Sequence, residues 1–255
     1  MWKKRKMANE LLRPGERLDD LLIGELKIIQ QAGQFRFSLD AVLLAHFATV
    51  KRGAATVDLG AGTGVLGLLL AARGAKRVTG VEINPDMVDM ASRSIDVNGL
   101  GDRLAVVWAD VRAIPGGSLL EGRSCDLVVA NPPYRPLGGG EVNPQDALAL
   151  ARHEIAGGLD DFATAAAFLL KERGRFAMVH LPERLTDVVG ALRGAGVEPK
   201  RLRLVHPAPG KVAKLLLAEG VRGGRPGLTV EPPLYIYGGD GRYGEEIMAY
   251  YRAGE

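Results

Sequence analysis

The sequence predicts an α/β fold built on a mainly parallel sheet with helices on both faces and an antiparallel ending. Three observations carry this. From residue 54 onward, β-branched-rich runs alternate with helical patterns of ten to fifteen residues, the rhythm of strand–helix–strand units. Near the C-terminus the rhythm changes, because "VAKLLLAEGV" and "LTVEPPLYIYG" follow one another with no helix between them. The chain has 255 residues, 47% of them hydrophobic, enough for one α/β domain with a full core and no separate second domain.

The elements follow in order. Residues 1–18 read as a polar lead-in. "RLDDLLIGELKIIQQAG" suggests a short helix, followed by an extended piece around Gln34–Phe37 and a helix capped near Ser38, whose hydroxyl precedes an apolar-periodic run. "AATVDL" is a strand, and "GVLGLLLAARG" an apolar helix closed by Gly74. "RVTGVEI" is a strand and "PDMVDMASRSIDVNG" a helix, with Pro85 in its first turn and Gly99 at its end. "RLAVVWAD" and "CDLVVA" are strands, "LDDFATAAAFLLKERG" a helix, "RFAMVHL" a strand and "ERLTDVVGALRGAG" a helix. "KRLRLVHP" opens the C-terminal strands. Residues 1–52 form an N-terminal segment and 53–255 the main domain of a single structural unit.

Composition narrows the function classes. There is no uncharged apolar run of 18 residues and no signal peptide, so a cytoplasmic protein is expected. The single cysteine, Cys125, excludes an internal disulfide framework and a cysteine-rich zinc site, and reads as a small buried strand residue. His46, His180 and His206 have no ligand spacing, so no metal is expected. The formal charge is +3, but residues 193–225 hold eight Lys and Arg against two acids, Glu198 and Glu219, a local +6. Such a patch is either a solvated basic face or the footprint of a phosphate backbone.

The first strand of the regular unit runs into "VDLGAGTGVLG". A glycine-rich strand-to-helix turn lets the backbone approach a ligand and aims helix N-terminal N–H groups at it. Gly62, Gly64 and Gly67 fit G-x-G-x-x-G and Glu82 lies 20 residues beyond Gly62, which is the dinucleotide fingerprint. An NAD-dependent enzyme therefore stands as one reading. Against it, Asp58 completes D-x-G-x-G-x-G with Gly60, Gly62 and Gly64, which resembles the first motif of S-adenosylmethionine-dependent methyltransferases. In that resemblance Glu82 holds the ribose hydroxyls, and Asp110, ending "WAD", contacts the adenine ring. Acids ending adjacent parallel strands line one crevice at the carboxyl edge of the sheet.

"NPPY", residues 131–134, ends the next strand at that same edge. It resembles the catalytic motif of methyltransferases that alkylate a planar conjugated amine: adenine N6, guanine N2 or a glutamine amide. Such an amine is a poor nucleophile, because its lone pair is delocalised. The Asn131 side-chain oxygen and the Pro132 carbonyl can accept hydrogen bonds from its N–H groups and turn the lone pair toward the methyl group. Pro132 and Pro133 keep that carbonyl exposed and stiff. Tyr134 can stack on the planar group, worth roughly 1–3 kcal/mol per base in nucleic-acid complexes. A base in a duplex or stack would have to be flipped out to reach it.

With "RLDDLL", "FSLDAVLLAHFA", "DLGAGTGVLGLLLA", "VEIN", "NPPY", "ARHE" and "PPLYIY" in this order, the chain resembles the bacterial tRNA (adenine-N6)-methyltransferases that act on valine tRNA. These belong to the methyltransferase small domain group, and the pattern is that of the Gram-positive-type relatives. The resemblance implies a Rossmann-like class I fold with a seven-stranded sheet, S-adenosylmethionine as cofactor, and tRNA or another structured RNA as acceptor. It implies that the N-terminal segment packs on the cofactor side, where Asp40 borders the cofactor, and that Asn131 borders both cofactor and amine. Arg152, His153 and Glu154 are expected to organise a loop over the site through local ion pairs. Arg201, Arg203, Lys211, Lys214, Arg222 and Arg225 would track RNA phosphates.

Other readings remain: a protein glutamine N5-methyltransferase of the release-factor type, a guanine-N2 rRNA enzyme, a DNA adenine methyltransferase, and a non-catalytic RNA-binding module retaining the fold. The missing N-terminal helical domain counts against the release-factor type, and the small size against a DNA enzyme.

Overall fold

The computed structural model describes residues 11–32, 39–132 and 157–252. Its centre is a nine-stranded sheet. Strands β3 (Ala55–Leu59), β4 (Arg77–Glu82), β5 (Leu104–Trp108), β6 (Cys125–Ala130) and β7 (Leu170–His180) are parallel. β9 (Leu215–Arg222) runs antiparallel between β7 and β8 (Val197–His206), and the short β10 (Thr229–Val230) and β11 (Leu234–Tyr235) pair with β8. The order β8-β9-β7-β6-β3-β4-β5 is the doubly wound arrangement with an antiparallel ending that the sequence predicts.

Strands buried on both faces have little use for polar alternation, and these have little. Along β6, Leu127 and Val129 face one core while Val128 and Ala130 face the other. The first core is closed by α1 (Leu39–Phe47), α2 (Val65–Ala72), α3 (Pro85–Asn98) and α6 (Glu245–Arg252) through Leu43, Leu44, Leu68, Leu69, Ile95 and Ile247. The second is closed by α4 (Leu159–Leu169) and α5 (Leu185–Gly194) through Phe162, Ala166, Val188 and Leu192. Helix α3 starts and stops as its sequence dictates. Asn84 caps it by accepting from the Asp86 and Met87 N–H groups, Pro85 opens it, and Gly99 closes it at φ 65°.

Four expectations need correction. Residues 16–31 do not form a helix: β1 (Glu16–Asp20) and β2 (Lys27–Gln31) make an antiparallel hairpin. Its apolar residues mimic a helical period, but Leu22, Gly24 and Glu25 in the connection all take positive φ, which no right-handed helix accommodates. The hairpin is then sewn to α3, where Ser94 Oγ accepts from Ile29 N–H at 2.9 Å and the Asn98 amide brackets the Lys27 backbone. Second, helix α4 ends at Leu169 rather than Gly174, because Leu170 already pairs with Cys125 and Arg173 sits at φ 64°. Third, the 228–238 segment yields two two-residue strands parallel to β8. Fourth, α6 lies beyond any helix the sequence pattern suggests. Gln34–Phe37 and Ser38 lie outside the described residues.

Candidate functional site

The carboxyl ends of β3, β4, β5 and β6 converge on one edge, as parallel pairing requires. Leaving β3, the chain turns through Gly60, Gly62 and Gly64 at φ 75°, 55° and 86°, a left-handed course that side chains other than hydrogen resist. The N–H groups of Gly60 and Ala61 both donate to the Val81 carbonyl of β4, at 2.8 and 3.0 Å. Gly64 ends the turn as the residue capping α2. Gly67, the third glycine of the dinucleotide pattern, faces Val78 and Leu104 instead and lets α2 lie close on the sheet.

A cavity of about 150 Å³ opens between this turn, α1 and the end of β6. Asp58, Gly60, Gly62 and Asn131 line it together with Ala41, Thr63 and Leu66. Asp58 is almost fully buried. It accepts from the Gly67 backbone N–H, but its Oδ2 is buried with no hydrogen-bond partner. Burial first, then the neighbouring Glu82 carboxylate, pushes its pKa up to about 7. A buried carboxyl with an orphaned oxygen beside a cavity is the complement of a cationic group such as an amino acid's ammonium. The donor set therefore fits the methionine end of S-adenosylmethionine.

Glu82 does something that the sequence reading missed. Its Oε2 accepts from Gly62 N–H and its Oε1 from Asn84 N–H, both at 2.8 Å, so it fixes the glycine turn and the entry to α3 together. Each oxygen keeps a second lone pair, leaving capacity for ribose hydroxyls. Asp110 follows β5 and caps a short 3₁₀ turn. The Arg112 guanidinium grips both its oxygens at 2.6–3.0 Å and holds its carboxyl below the usual range. Trp108 is another residue that the sequence reading passed over. It is 67% exposed at the end of β5, with Nε1 donating to the Ile83 carbonyl between Glu82 and Asp110.

Asn131 leaves β6 directly into the cavity wall, and Pro132 behind it is buried. Asp40 sits in the first turn of α1, next to the cavity residue Ala41. Pro133, Tyr134, Arg152, His153 and Glu154 lie outside the described residues. Among the described residues no group of three His, Cys, Asp or Glu is placed to hold a metal ion, and no helix is long and apolar enough to cross a membrane. Cys125 is a buried free thiol whose pKa burial raises.

The basic stretch divides. Arg201 is committed to Glu231 at 2.6 Å and to Glu219 at 3.3 Å, and stacks over Phe47. Arg203 grips both oxygens of Glu246. These two guanidiniums are engaged in holding β8 to its neighbours. Arg222 donates to the Leu170 carbonyl at 2.6 Å, while Lys211, Lys214 and Arg225 are exposed.

The methyltransferase small domain family profile matches residues 36–183. A tRNA1(Val) (adenine(37)-N6)-methyltransferase of Tolumonas auensis is 31% identical, over 88% of this chain and 92% of its own length. One of Porphyromonas gingivalis is 30% identical, over 75% and 76%. Among solved structures, a predicted O-methyltransferase from Agrobacterium tumefaciens superposes with a TM-score of 0.67 at 24% identity, covering 84% of this chain and 96% of that one. That likeness speaks for the fold.

Proposed function

The chain belongs to the methyltransferase small domain family, and on that premise we propose that it transfers the methyl group of S-adenosylmethionine to the exocyclic N6 of an adenine in tRNA. The observation that carries this is the position of Asn131. It opens the amine-trapping motif and lines the same cavity as Asp58 and the glycine turn, so acceptor and donor groups meet there. The long alignment with relatives named for adenine-N6 transfer supports the choice of acceptor.

When bound, the cofactor supplies an electrophilic methyl group on a sulfonium. The chain's residues do the rest. Asp58 would pair with the cofactor's ammonium, and the backbone of Gly60, Gly62 and Gly64 would allow its close approach. A cavity of about 150 Å³ suits the amino-acid end alone, so Glu82 and Asp110 would hold the nucleoside end along the open edge, Asp40 bordering the cavity from α1. Asn131 Oδ1 and the Pro132 carbonyl accept from the acceptor's two N–H groups and orient its lone pair. By the motif's resemblance, Pro133 would stiffen that carbonyl and Tyr134 would stack the flipped base. Methyl transfer from the bound cofactor would form the N–C bond as the S–C bond breaks, with the nitrogen's surplus proton passing to water. Positioning supplies most of the acceleration, and no strong base is needed.

Lys211 and Lys214, in the loop after β8 on the Asn131 edge, attract the phosphate backbone, with Arg201 and Arg203 shaping the strands beside them, whereas Arg222 and Arg225 lie toward the opposite end of the sheet, where Arg222 pairs with Val197. A tRNA substrate is in keeping with a cytoplasmic enzyme. The test is transfer of labelled methyl to unmodified tRNA, to rRNA and to a release factor side by side. Label in tRNA is expected. Label in the release factor alone would replace adenine by a glutamine amide as the acceptor.

A further inference from the structure

The segment "YGGDGRY", residues 237–243, makes a tight turn at the carboxyl edge of the sheet. Gly238 N–H donates to the Arg242 carbonyl at 2.8 Å, the Asp240 carboxylate accepts from Arg242 N–H at 3.0 Å, and Gly241 takes φ 75°. Tyr237 and Tyr243 face one another across this turn as an isolated antiparallel bridge. Their rings are nearly parallel, 9° apart with centroids at 5.4 Å, and Tyr243 stacks on the half-buried Tyr251 beneath at 6.2 Å. Yet Tyr237 and Tyr243 remain 40% and 42% exposed. Two parallel rings left this exposed on one turn form an aromatic patch open to a partner.

The surroundings indicate what does. Arg242, between the rings in sequence, has an 88% exposed side chain, and its contact with Asp240 is a loose 3.9 Å. The same turn is anchored to the loop after β8, since Tyr237 N–H donates to the Pro207 carbonyl, and that loop folds back on β8 where His206 Nδ1 meets the Lys211 carbonyl. That loop carries the exposed Lys211 and Lys214. Asp240 and Glu245 are the acids beside the turn. β8 and β6 are parallel, three strand spacings apart through β9 and β7, and β11, from which the turn leaves, pairs with the outer side of β8, so the turn lies on the Asn131 edge about four spacings, roughly 19 Å, from its strand. Flat rings interleaved with cations are the means by which proteins hold unpaired bases and their phosphates.

We propose that Tyr237 and Tyr243 form a stacking platform for unpaired nucleotides flanking the target adenine, with Arg242, Lys211 and Lys214 taking the adjoining phosphates. This rests on the RNA reading above.

The test measures binding and steady-state methylation of unmodified tRNA by the full chain, alongside Tyr237→Ala, Tyr243→Ala, the double variant, the two Tyr→Phe variants and Arg242→Glu. Each alanine is expected to raise Kd and KM for tRNA by about 5- to 150-fold, with kcat and cofactor affinity held. Phenylalanine, which keeps the ring, should restore wild-type values. Arg242→Glu should weaken tRNA binding and flatten its salt dependence. Wild-type transfer to tRNA with no change in the alanine and Arg242→Glu variants would overturn the platform and leave the enzyme reading standing. Failure of the wild type to bind or methylate tRNA would overturn both.

Discussion

In the proposed reaction Asp58 and Asn131 divide the work of the site between them. Asp58 is an acid in the wrong medium, raised from 3.8 to about 7 by burial and by Glu82. The folded state therefore binds its proton more tightly than the unfolded chain does. The stability it contributes is full below about pH 4 and is lost as pH rises through about 7. Asp58→Asn should match the wild type in thermal melting near pH 4 and exceed it at pH 8, by on the order of 1–3 kcal/mol. The same variant should bind S-adenosylmethionine weakly. In the wild type, affinity should rise between pH 6 and 7.5 with release of a proton, read by calorimetry in two buffers of different ionisation enthalpy. A flat profile would separate Asp58 from the cofactor's ammonium. Asn131 belongs to the acceptor side. Asn131→Ala should lower kcat by roughly 10²–10³-fold, the usual cost of deleting one preorganised hydrogen bond at a reacting centre, while cofactor affinity changes little. An unchanged kcat would remove the amine trap from the mechanism.

Elements position these residues with unequal help from the local sequence. The β3–turn–α2 and β4–α3 units were legible because their punctuation is local: glycines at positive φ, Asn84 and Pro85 opening a helix, Gly99 ending it. Gly64 is the most exacting of these positions, at φ 86° with a methyl group there only 3.2 Å from Ala91 Cβ. Gly64→Ala should lower stability by about 1–2 kcal/mol, or roughly 2–8 °C in melting temperature, and weaken cofactor binding. A wild-type melting curve would show that the turn tolerates a side chain. The β1–β2 hairpin was not legible, since its Leu and Ile spacing imitates a helix and its partners Ser94 and Asn98 lie some 65–71 residues away. Nor was α6, which buries only Ile247 fully and is held by the His46–Tyr250 ring stack, 4.1 Å apart, and by the Arg203–Glu246 pair. Within the site, charged and glycine positions announced themselves. Ala41 and Leu66 did not, because an apolar cavity wall looks like any other core.

At the scale of the whole molecule, the sheet joins the cofactor cavity to a remote basic and aromatic edge. Glu219, fully buried on β9, binds the Thr49 N–H and hydroxyl at the end of α1 and the guanidiniums of Arg175 and Arg201. It thereby ties α1, which lines the cavity, to the strands leading to the tyrosine turn. The patch counted as a net +6 in sequence resolves into two populations: guanidiniums that hold the strands, and exposed cations at the rim. Only tertiary structure separates them, since charge counting cannot see which arginines already have carboxylate partners. On the proposed roles, the edge would present an amine trap at one end and a stacking platform at the other. The most direct measurement is to incubate unmodified tRNA with the protein and S-adenosylmethionine, digest it, and identify the nucleosides by mass spectrometry. The account predicts new N6-methyladenosine that is absent with Asn131→Ala. A methyl group on guanine N2 or on a ribose, or none at all from a protein that binds the cofactor, would contradict it.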